Sequence, residues 1–179
     1  MYNEYRHMFF YNSREFISTP FLFFCKLLVI IITSCCLLYA SSAVLHSNLN
    51  RVEYPFFFLT ALLAMLLLIA SNHLLYSYLA LELLNFSVYL LLGINTLSSL
   101  ANEACQRYFV YSSYASALFL LGLALLYGLC GSLNIDALRD ILLVNQMEPI
   151  FHQKILVNLA FIFVYIGLLF KLSIFPLHF

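Results

Sequence analysis

The sequence contains few charged residues. Only 9% of its 179 residues are Asp, Glu, Lys or Arg, whereas 64% are hydrophobic. An ordinary soluble domain has about 25% charged residues, and a chain with so few cannot keep its surface in water. The eight basic and eight acidic side chains also cancel, so no net positive charge is available to bind nucleic acid. The composition therefore excludes a soluble globular domain and predicts a polytopic membrane protein.

Motifs for metals and nucleotides are also missing. The cysteines never occur at the C-x-x-C spacing of metal or iron–sulfur sites, and no Gly-x-Gly-x-x-Gly or Walker loop is present. We interpret the cysteines as small buried hydrophobes, since all five lie in or beside apolar segments: Cys25, Cys35, Cys36, Cys105 and Cys130. Any energy that this chain uses must therefore come from elsewhere.

Tryptophan is absent and glycine is rare, whereas Phe and Tyr number 18 and 13. We associate this bias with an AT-rich coding genome such as that of an organelle. Residues 1–20 lack both the apolar core of a secretory signal and the acid-poor, Arg-rich pattern of a transit peptide. We therefore expect residues 1–20 to form an exposed N-terminal arm rather than a removed leader.

Long apolar runs dominate the rest of the chain. A helix crosses roughly 30 Å of hydrocarbon with about 20 apolar residues. We predict an all-α membrane protein whose residues 21–179 form a five-helix transmembrane domain, with helices over 21–45, 55–70, 74–95, 108–133 and 155–179. The segment IDALRDILLV, between the last two, has helical spacing and is interpreted as a helix along the membrane surface.

Two features predict which helices pack together. The link Ser71–His73 between the second and third helices has only three residues, so these helices must be antiparallel neighbours. The fourth helix carries many small residues, among them Ala115, Ser116 and Gly122. Small residues let a neighbouring helix approach closely within a membrane.

The predicted third helix carries one carboxylate near its middle. Glu82 lies about 12 Å from Leu74 along a helix, where an acidic residue costs roughly 2.5 to 3.5 kcal/mol to insert. Such residues tend to face a bundle interior and to mark ion or proton paths. Asn85 and Tyr89 share its helical face at i+3 and i+7. We interpret Glu82 as a transport residue; a glutamate held neutral or paired for packing alone is the alternative.

The predicted fifth helix ends among polar residues and a proline. Pro176, just before His178, removes a backbone hydrogen bond, and broken helices at membrane depth occur only where they line protein or a wet cavity. Lys171 has two explanations of equal weight. It lies about 25 Å from Lys154 along a helix, so it could extend to the far surface, or it could work at the break.

Three segments together resemble chain 2 of respiratory complex I (chain N in bacteria), a family of antiporter-like, proton-pumping subunits. LALELLNFSVYLLLG is similar to the family's LELLSLPLYVLAG helix. EACQRYFVYSSYASALFLLGLALLYGLCGSLNIDAL resembles its next helix, with E-A-x-x-K-Y-F, then A-S-x-x-x-L-x-G-x-A-L-x-Y-G, then G-S-L. LLFKLSIFPLHF resembles its FKLSxxPFHxW segment. Their order and spacing also match, and the resemblance covers roughly Phe21 to Phe179.

The resemblance implies roles for individual residues. Glu82 corresponds to the family's essential glutamate, and Lys171 to its mid-membrane ionic partner and proton-relay residue. Pro176 and His178 correspond to the start of the break in the family's transmembrane helix 7, the same helix that carries the lysine. No cofactor is implied in this chain; FMN, iron–sulfur clusters and ubiquinone are expected elsewhere in the complex. The implied partners are neighbouring membrane-arm subunits and lipids, without nucleic acid.

The family's full subunit has further helices, a second inverted repeat and more protonatable residues beyond the region of resemblance. We therefore expect an N-terminal piece of a split, organelle-encoded subunit of the mitochondrial inner membrane, completed by a separate C-terminal fragment. One alternative is a non-pumping scaffold of the membrane arm, against which the presence of both Glu82 and Lys171 argues. Another is a subunit of a related multi-subunit cation/proton antiporter.

Overall fold

The computed structural model describes residues 16–46, 53–94, 98–145 and 151–171. These residues form helices and short connections without any extended strand, so the prediction of an all-α membrane protein is confirmed. In chain order the helices are α1 (Pro20–His46), α2 (Glu53–Ala70), α3 (Leu74–Gly93), α4 (Ser99–Cys130), α5 (Ile135–Asn145) and α6 (Phe151–Lys171).

Four of the described helices are long and apolar enough to cross a membrane, namely α1, α2, α3 and α4. The apolar part of α6, Ile155–Lys171, is shorter. Large apolar side chains cover the outer faces; on α1, for example, Phe23, Ile31 and Leu38 are exposed. Such faces are suited to contact with lipid or with neighbouring membrane helices, because exposing apolar surface to water is unfavourable.

The fourth membrane helix begins earlier than expected, at Ser99 rather than at Tyr108. The polar residues before Tyr108, interpreted from the sequence as a link, extend the helix by a turn or more. Ser98 caps this extension, since its hydroxyl accepts a hydrogen bond from the Ala101 N–H at 3.1 Å. Glu103 and Arg107 form an ion pair one turn apart on its exposed surface. Local polar interactions therefore stabilise a helix that apolar character alone does not indicate.

The end of α4 is set by glycine. Gly131 adopts a left-handed conformation with φ of 72°, and its N–H donates to the Tyr127 carbonyl at 2.8 Å. This arrangement is a common C-terminal cap. Residues 172–179, which include the predicted break at Pro176 and His178, lie outside the described residues, as do residues 1–15 of the predicted N-terminal arm.

Short connections hold one end of the bundle together. The turn Ser71–His73 joins α2 to α3, and a hydrogen bond of 2.9 Å between Thr60 and Ser87 links the two helices. Across the bundle, Leu74 N–H donates to the Leu133 carbonyl at 3.0 Å. The ends of α2 and α4 and the start of α3 therefore lie on the same side of the membrane.

The closest packing in the described bundle is between α4 and α6. A Cβ added to Gly122 would lie 2.7 Å from Val164 Cγ2 and 2.8 Å from Val164 N. A Cβ added to Gly167 would lie 2.8 Å from Phe119 Cβ. Small residues thus let the two backbones touch, as the stripe on the fourth helix suggested. The buried core surrounds this contact and contains Phe119, Leu123, Leu126, Leu133, Ala160 and Val164.

We predict that Gly122→Ala and Gly167→Ala each destabilise the protein by about 1 to 3 kcal/mol, because the new methyl group has to push α4 and α6 apart. Gly128→Ala is the matched control, since Gly128 has no atom within 4 Å of an added Cβ. The measurement is the thermal unfolding midpoint of the purified protein in detergent. Equal midpoints for the Gly122→Ala and Gly128→Ala proteins would contradict the close contact.

Candidate functional site

Glu82, Ser116 and Lys171 come together from three different helices, α3, α4 and α6. Lys171 Nζ donates to Glu82 Oε1 at 2.9 Å, and the Ser116 hydroxyl donates to the same oxygen. The Lys171 side chain is only 9% exposed, and that of Glu82 is 37% exposed. One carboxylate oxygen therefore joins three helices of the bundle.

The pair lies far from either end of α3. Glu82 is about 12 Å from Leu74 and about 16 Å from Gly93 along the helix axis. Because Lys171 contacts Glu82, its ammonium group lies at the same depth. The mid-membrane position of Lys171 stays a prediction, and this contact agrees with it.

Charge pairing accounts for the stability of these groups in an apolar bundle. A single ammonium or carboxylate ion loses several kcal/mol of hydration on burial, and a partner at hydrogen-bond distance offsets part of this cost. Lys171 is the more buried of the two, so it depends more on Glu82 than Glu82 depends on it. The Ser116 hydroxyl donates a further, charge-assisted hydrogen bond that stabilises the ionised carboxylate.

The contact between α4 and α6 positions Lys171. A Cβ added to Gly167 would lie 3.0 Å from the Ala115 carbonyl oxygen, so the two backbones meet at the residue that precedes Ser116. Lys171 follows Gly167 by four residues, one helical turn, and therefore shares its face. Close packing at Gly167 thus brings the lysine to Ser116 and Glu82.

Asn85 and Tyr89 share the helical face of Glu82 but have no described hydrogen bond to it. The amide oxygen of Asn85 accepts from the Tyr108 hydroxyl at 3.3 Å. The backbone carbonyl of Tyr89 accepts from the Cys105 thiol at 3.2 Å. These residues form a second polar contact between α3 and α4, beside the Glu82 site and nearer to the start of α4.

Ser116 is a site residue that sequence reasoning missed. We interpreted it only as one of the small residues of the fourth helix. The sequence feature that could have indicated it is a polar hydroxyl among the small residues at which neighbouring helices pack. Pro176 and His178, by contrast, lie outside the described residues, so their place in the site stays a prediction.

The described residues contain no group of three or more His, Cys, Asp or Glu side chains that could hold a metal ion. Their five cysteines are free thiols, but none of them is buried: two are exposed and three are partly buried. The interpretation of the cysteines as buried hydrophobes is therefore wrong. The site of Glu82, Lys171 and Ser116 offers a carboxylate, an ammonium group and a hydroxyl. These groups are suited to holding, donating and accepting protons.

Residues 71–179, which contain all three site residues, match the family described as "NADH:quinone oxidoreductase/Mrp antiporter, TM". The chain is also similar to the NADH-quinone oxidoreductase subunit N of Nitrosomonas europaea. The two are 33% identical over 153 residues, which cover 86% of this chain and 31% of that relative. The chain thus spans about a third of the length of the curated relatives it matches.

Two solved structures contain a similar arrangement of helices. One is the membrane-bound sulfane sulfur reductase, an archaeal respiratory membrane complex, with a TM-score of 0.65 and 28% identity over 84% of this chain and 29% of that chain. The other is respiratory complex I from Thermus thermophilus with bound aureothin. Its TM-score is 0.59, with 32% identity over 75% of this chain and 28% of that chain.

We predict that Ser116→Ala lowers the free energy of unfolding by about 1.5 to 3 kcal/mol, because a hydrogen bond to a charged group is lost. Ser113→Ala is the control. Each hydroxyl also donates to a backbone carbonyl of the preceding turn, so the single Ser116 proton is shared between that carbonyl and Glu82. Ser113 is exposed and has no described bond to Glu82. Denaturant unfolding in detergent measures both variants, and equal losses would mean that the Ser116–Glu82 bond is not formed.

Proposed function

The chain belongs to the NADH:quinone oxidoreductase/Mrp antiporter transmembrane family, and we propose that it is a proton-translocating, antiporter-like part of the membrane arm of respiratory complex I. The observation that carries this proposal is the Glu82–Lys171 ion pair, with 2.9 Å between Nζ and Oε1. Ionisable groups that face the interior of a membrane bundle and pair with one another are typical elements of a proton path. The relatives named as subunit N support complex I as its setting.

The mechanism rests on coupling between the two members of the pair. While they are in contact, the Glu82 carboxylate stabilises the Lys171 ammonium group, so each charge depends on the presence of the other. A change of charge elsewhere in the membrane arm that separates them frees Lys171 to pass its proton laterally. Glu82, left without its counter-ion in an apolar setting, is then ready to accept the next proton. The site is reset when the Glu82 carboxyl group passes this proton to the neutral Lys171 amine, which restores the carboxylate and the ammonium group and re-forms the pair.

The energy for this cycle comes from outside the chain. We propose that the chain is a membrane subunit of an NADH:quinone reductase whose FMN, iron–sulfur clusters and ubiquinone are bound by other subunits. In this arrangement its own residues carry protons and no electrons. The absence of a nucleotide-binding loop from the sequence supports this division of labour.

A subunit of a multi-subunit cation/proton antiporter is the second candidate, because the family description also names Mrp antiporters. The names of the similar full-length relatives favour complex I. The third candidate is a non-pumping scaffold. A scaffold does not need a buried lysine beside a glutamate, since an apolar pair would pack at least as well. We therefore retain proton translocation as the proposed role.

The surroundings follow from the same proposal. The chain is a multi-pass membrane protein, and its neighbours would be other membrane-arm subunits and lipids. The relatives named above are bacterial, so the mitochondrial inner membrane and organelle encoding stay predictions from composition and resemblance. The separate C-terminal fragment also stays a prediction, and intact-mass analysis of the native complex checks it.

We predict that Glu82→Gln leaves assembly intact and lowers NADH-driven proton pumping roughly tenfold or more, because a positioned proton-transfer group typically contributes about 10²–10⁴-fold. The amide keeps the size and a hydrogen-bond acceptor for Lys171 but cannot take up a proton. Pumping is measured with a pH-sensitive dye in vesicles that contain the native complex. Glu103→Gln is the matched control, because Glu103 pairs with Arg107 on the exposed surface of α4.

Two results would contradict the proposal. If the Glu82→Gln complex pumps at the rate of the Glu103→Gln complex, Glu82 is not on the proton path. If the complex fails to assemble with Glu82→Gln but assembles with Glu103→Gln, the pair has a structural role instead.

A further inference from the structure

Asn85 is a buried amide with an unpartnered nitrogen. Its residue surface is 6% exposed, and Nδ2 has no hydrogen-bond partner among the described residues. Its oxygen is occupied, because the Tyr108 hydroxyl donates to it at 3.3 Å. Exchanging the two ends of the amide would leave the oxygen unpartnered in place of the nitrogen. One polar atom of Asn85 therefore needs a partner in either orientation.

The missing partner has to be small. Asn85 is buried by this chain alone, so a side chain from a neighbouring subunit would have to displace α3 or α4 to reach it. Buried polar groups of this kind are generally satisfied by ordered water, which makes two to four hydrogen bonds. Glu82 provides an acceptor nearby, because it lies three residues earlier on the same face of α3, about 5 to 6 Å away between Cβ atoms.

The arrangement also gives a direction. Toward the start of α3, the face of Glu82 is covered by Tyr78, whose ring stacks on the fully buried Phe119 with 5.8 Å between centroids. Toward the start of α4, the same face leads to Asn85 and Tyr108. Beyond Tyr108 lies the polar first part of α4, where Arg107 is exposed. On the Tyr78 side of Glu82, the Tyr78 hydroxyl is carried by a ring that packs against the core, whereas on the other side Asn85, Tyr108 and Arg107 continue toward the start of α4.

We propose that Asn85 and Tyr108 are positioning residues that hold a water molecule against Glu82 and form the proton uptake route to the Glu82–Lys171 pair from the start of α4. This inference rests on the proposed function and adds the route by which the Glu82 carboxylate takes up its next proton. The Tyr108 hydroxyl fixes the amide so that Nδ2 faces the water. A water that accepts from Nδ2 keeps both of its O–H groups free to donate, one of them to Glu82.

The proton balance is simple. In one uptake step the water gives a proton to a Glu82 carboxylate oxygen, so one O–H bond breaks and another forms. The water takes a proton in return from the next water on the Tyr108 side. Asn85 and Tyr108 orient the water and undergo no net change, and no electron moves.

The test compares three variants of the native complex in vesicles, for both NADH oxidation and proton pumping. Tyr108→Phe removes one oxygen atom and keeps the ring, and Asn85→Leu removes the amide at similar volume. Asn85→Ser, which retains a hydrogen-bond donor, is the conservative variant. Ser87→Ala is the control, because Ser87 is fully buried on the same helix but bonds to Thr60.

We expect Tyr108→Phe and Asn85→Leu to lower the pumping rate roughly threefold to tenfold, less than the about 10²–10⁴-fold typical of a group that transfers the proton itself. The ratio of pumping rates in H₂O and D₂O should rise in both, because proton delivery becomes slower. Asn85→Ser should restore most of the rate. Ser87→Ala should leave the pumping rate and the isotope ratio unchanged.

Wild-type pumping in the Tyr108→Phe complex would overturn the uptake route, as would an experimental structure of the complex in which a side chain bonds to Asn85 Nδ2. We expect the Tyr108→Phe complex to assemble normally, since the substitution creates no large cavity, so a lower pumping rate is not explained by failed assembly. Glu82→Gln, measured in the same series, separates the two proposals. If Glu82→Gln alone is defective, the uptake route fails and the proposed function stands; if Glu82→Gln also pumps normally, the proposed function fails.

Discussion

The ion pair between Glu82 and Lys171 sets the requirements that the rest of the bundle must meet. An isolated charge in the middle of a membrane is costly, and the cost falls only if the partner lies at hydrogen-bond distance. The two residues are 89 positions apart in sequence. Glu82 lies on α3 and Lys171 on α6, and α4 and α5 separate these helices along the chain. Pairing them therefore requires α3, α4 and α6 to converge at one depth, with Ser116 completing the contact.

The convergence depends on backbone contact between α4 and α6. Gly122 and Gly167 leave no room for a Cβ at the two points where the helices meet, and the buried residues around Phe119 fill the space beside them. Packing rather than the ion pair supplies the stability, since a buried pair of charges seldom stabilises a protein more than an apolar pair would. Under the proposed function, the pair is carried by this close-packed scaffold, whose contacts between α4 and α6 do not involve the two charged groups.

The sequence predicts some of the site residues and not others, for physical reasons that differ between residues. Glu82 is conspicuous because a carboxylate in an apolar run has a known energetic cost. Lys171 was ambiguous, since its depth depends on tertiary packing, and only the family resemblance pointed to the pairing. The serine partner was hidden among small residues whose hydroxyl groups looked incidental. The early start of α4 at Ser99 was missed because its first turns are held by a cap and an exposed ion pair, which an apolar pattern does not register.

The proposed function requires Glu82 to change its protonation state during turnover, and infrared difference spectroscopy of the native complex during NADH-driven turnover tests this most directly. We expect a band from a protonated carboxylic acid that appears and decays with turnover, shifts in D₂O, and is absent from the Glu82→Gln complex. A turnover spectrum in which Glu82→Gln removes no carboxyl band would contradict proton transfer through Glu82, because the Glu82–Lys171 pair would then be a static ion pair.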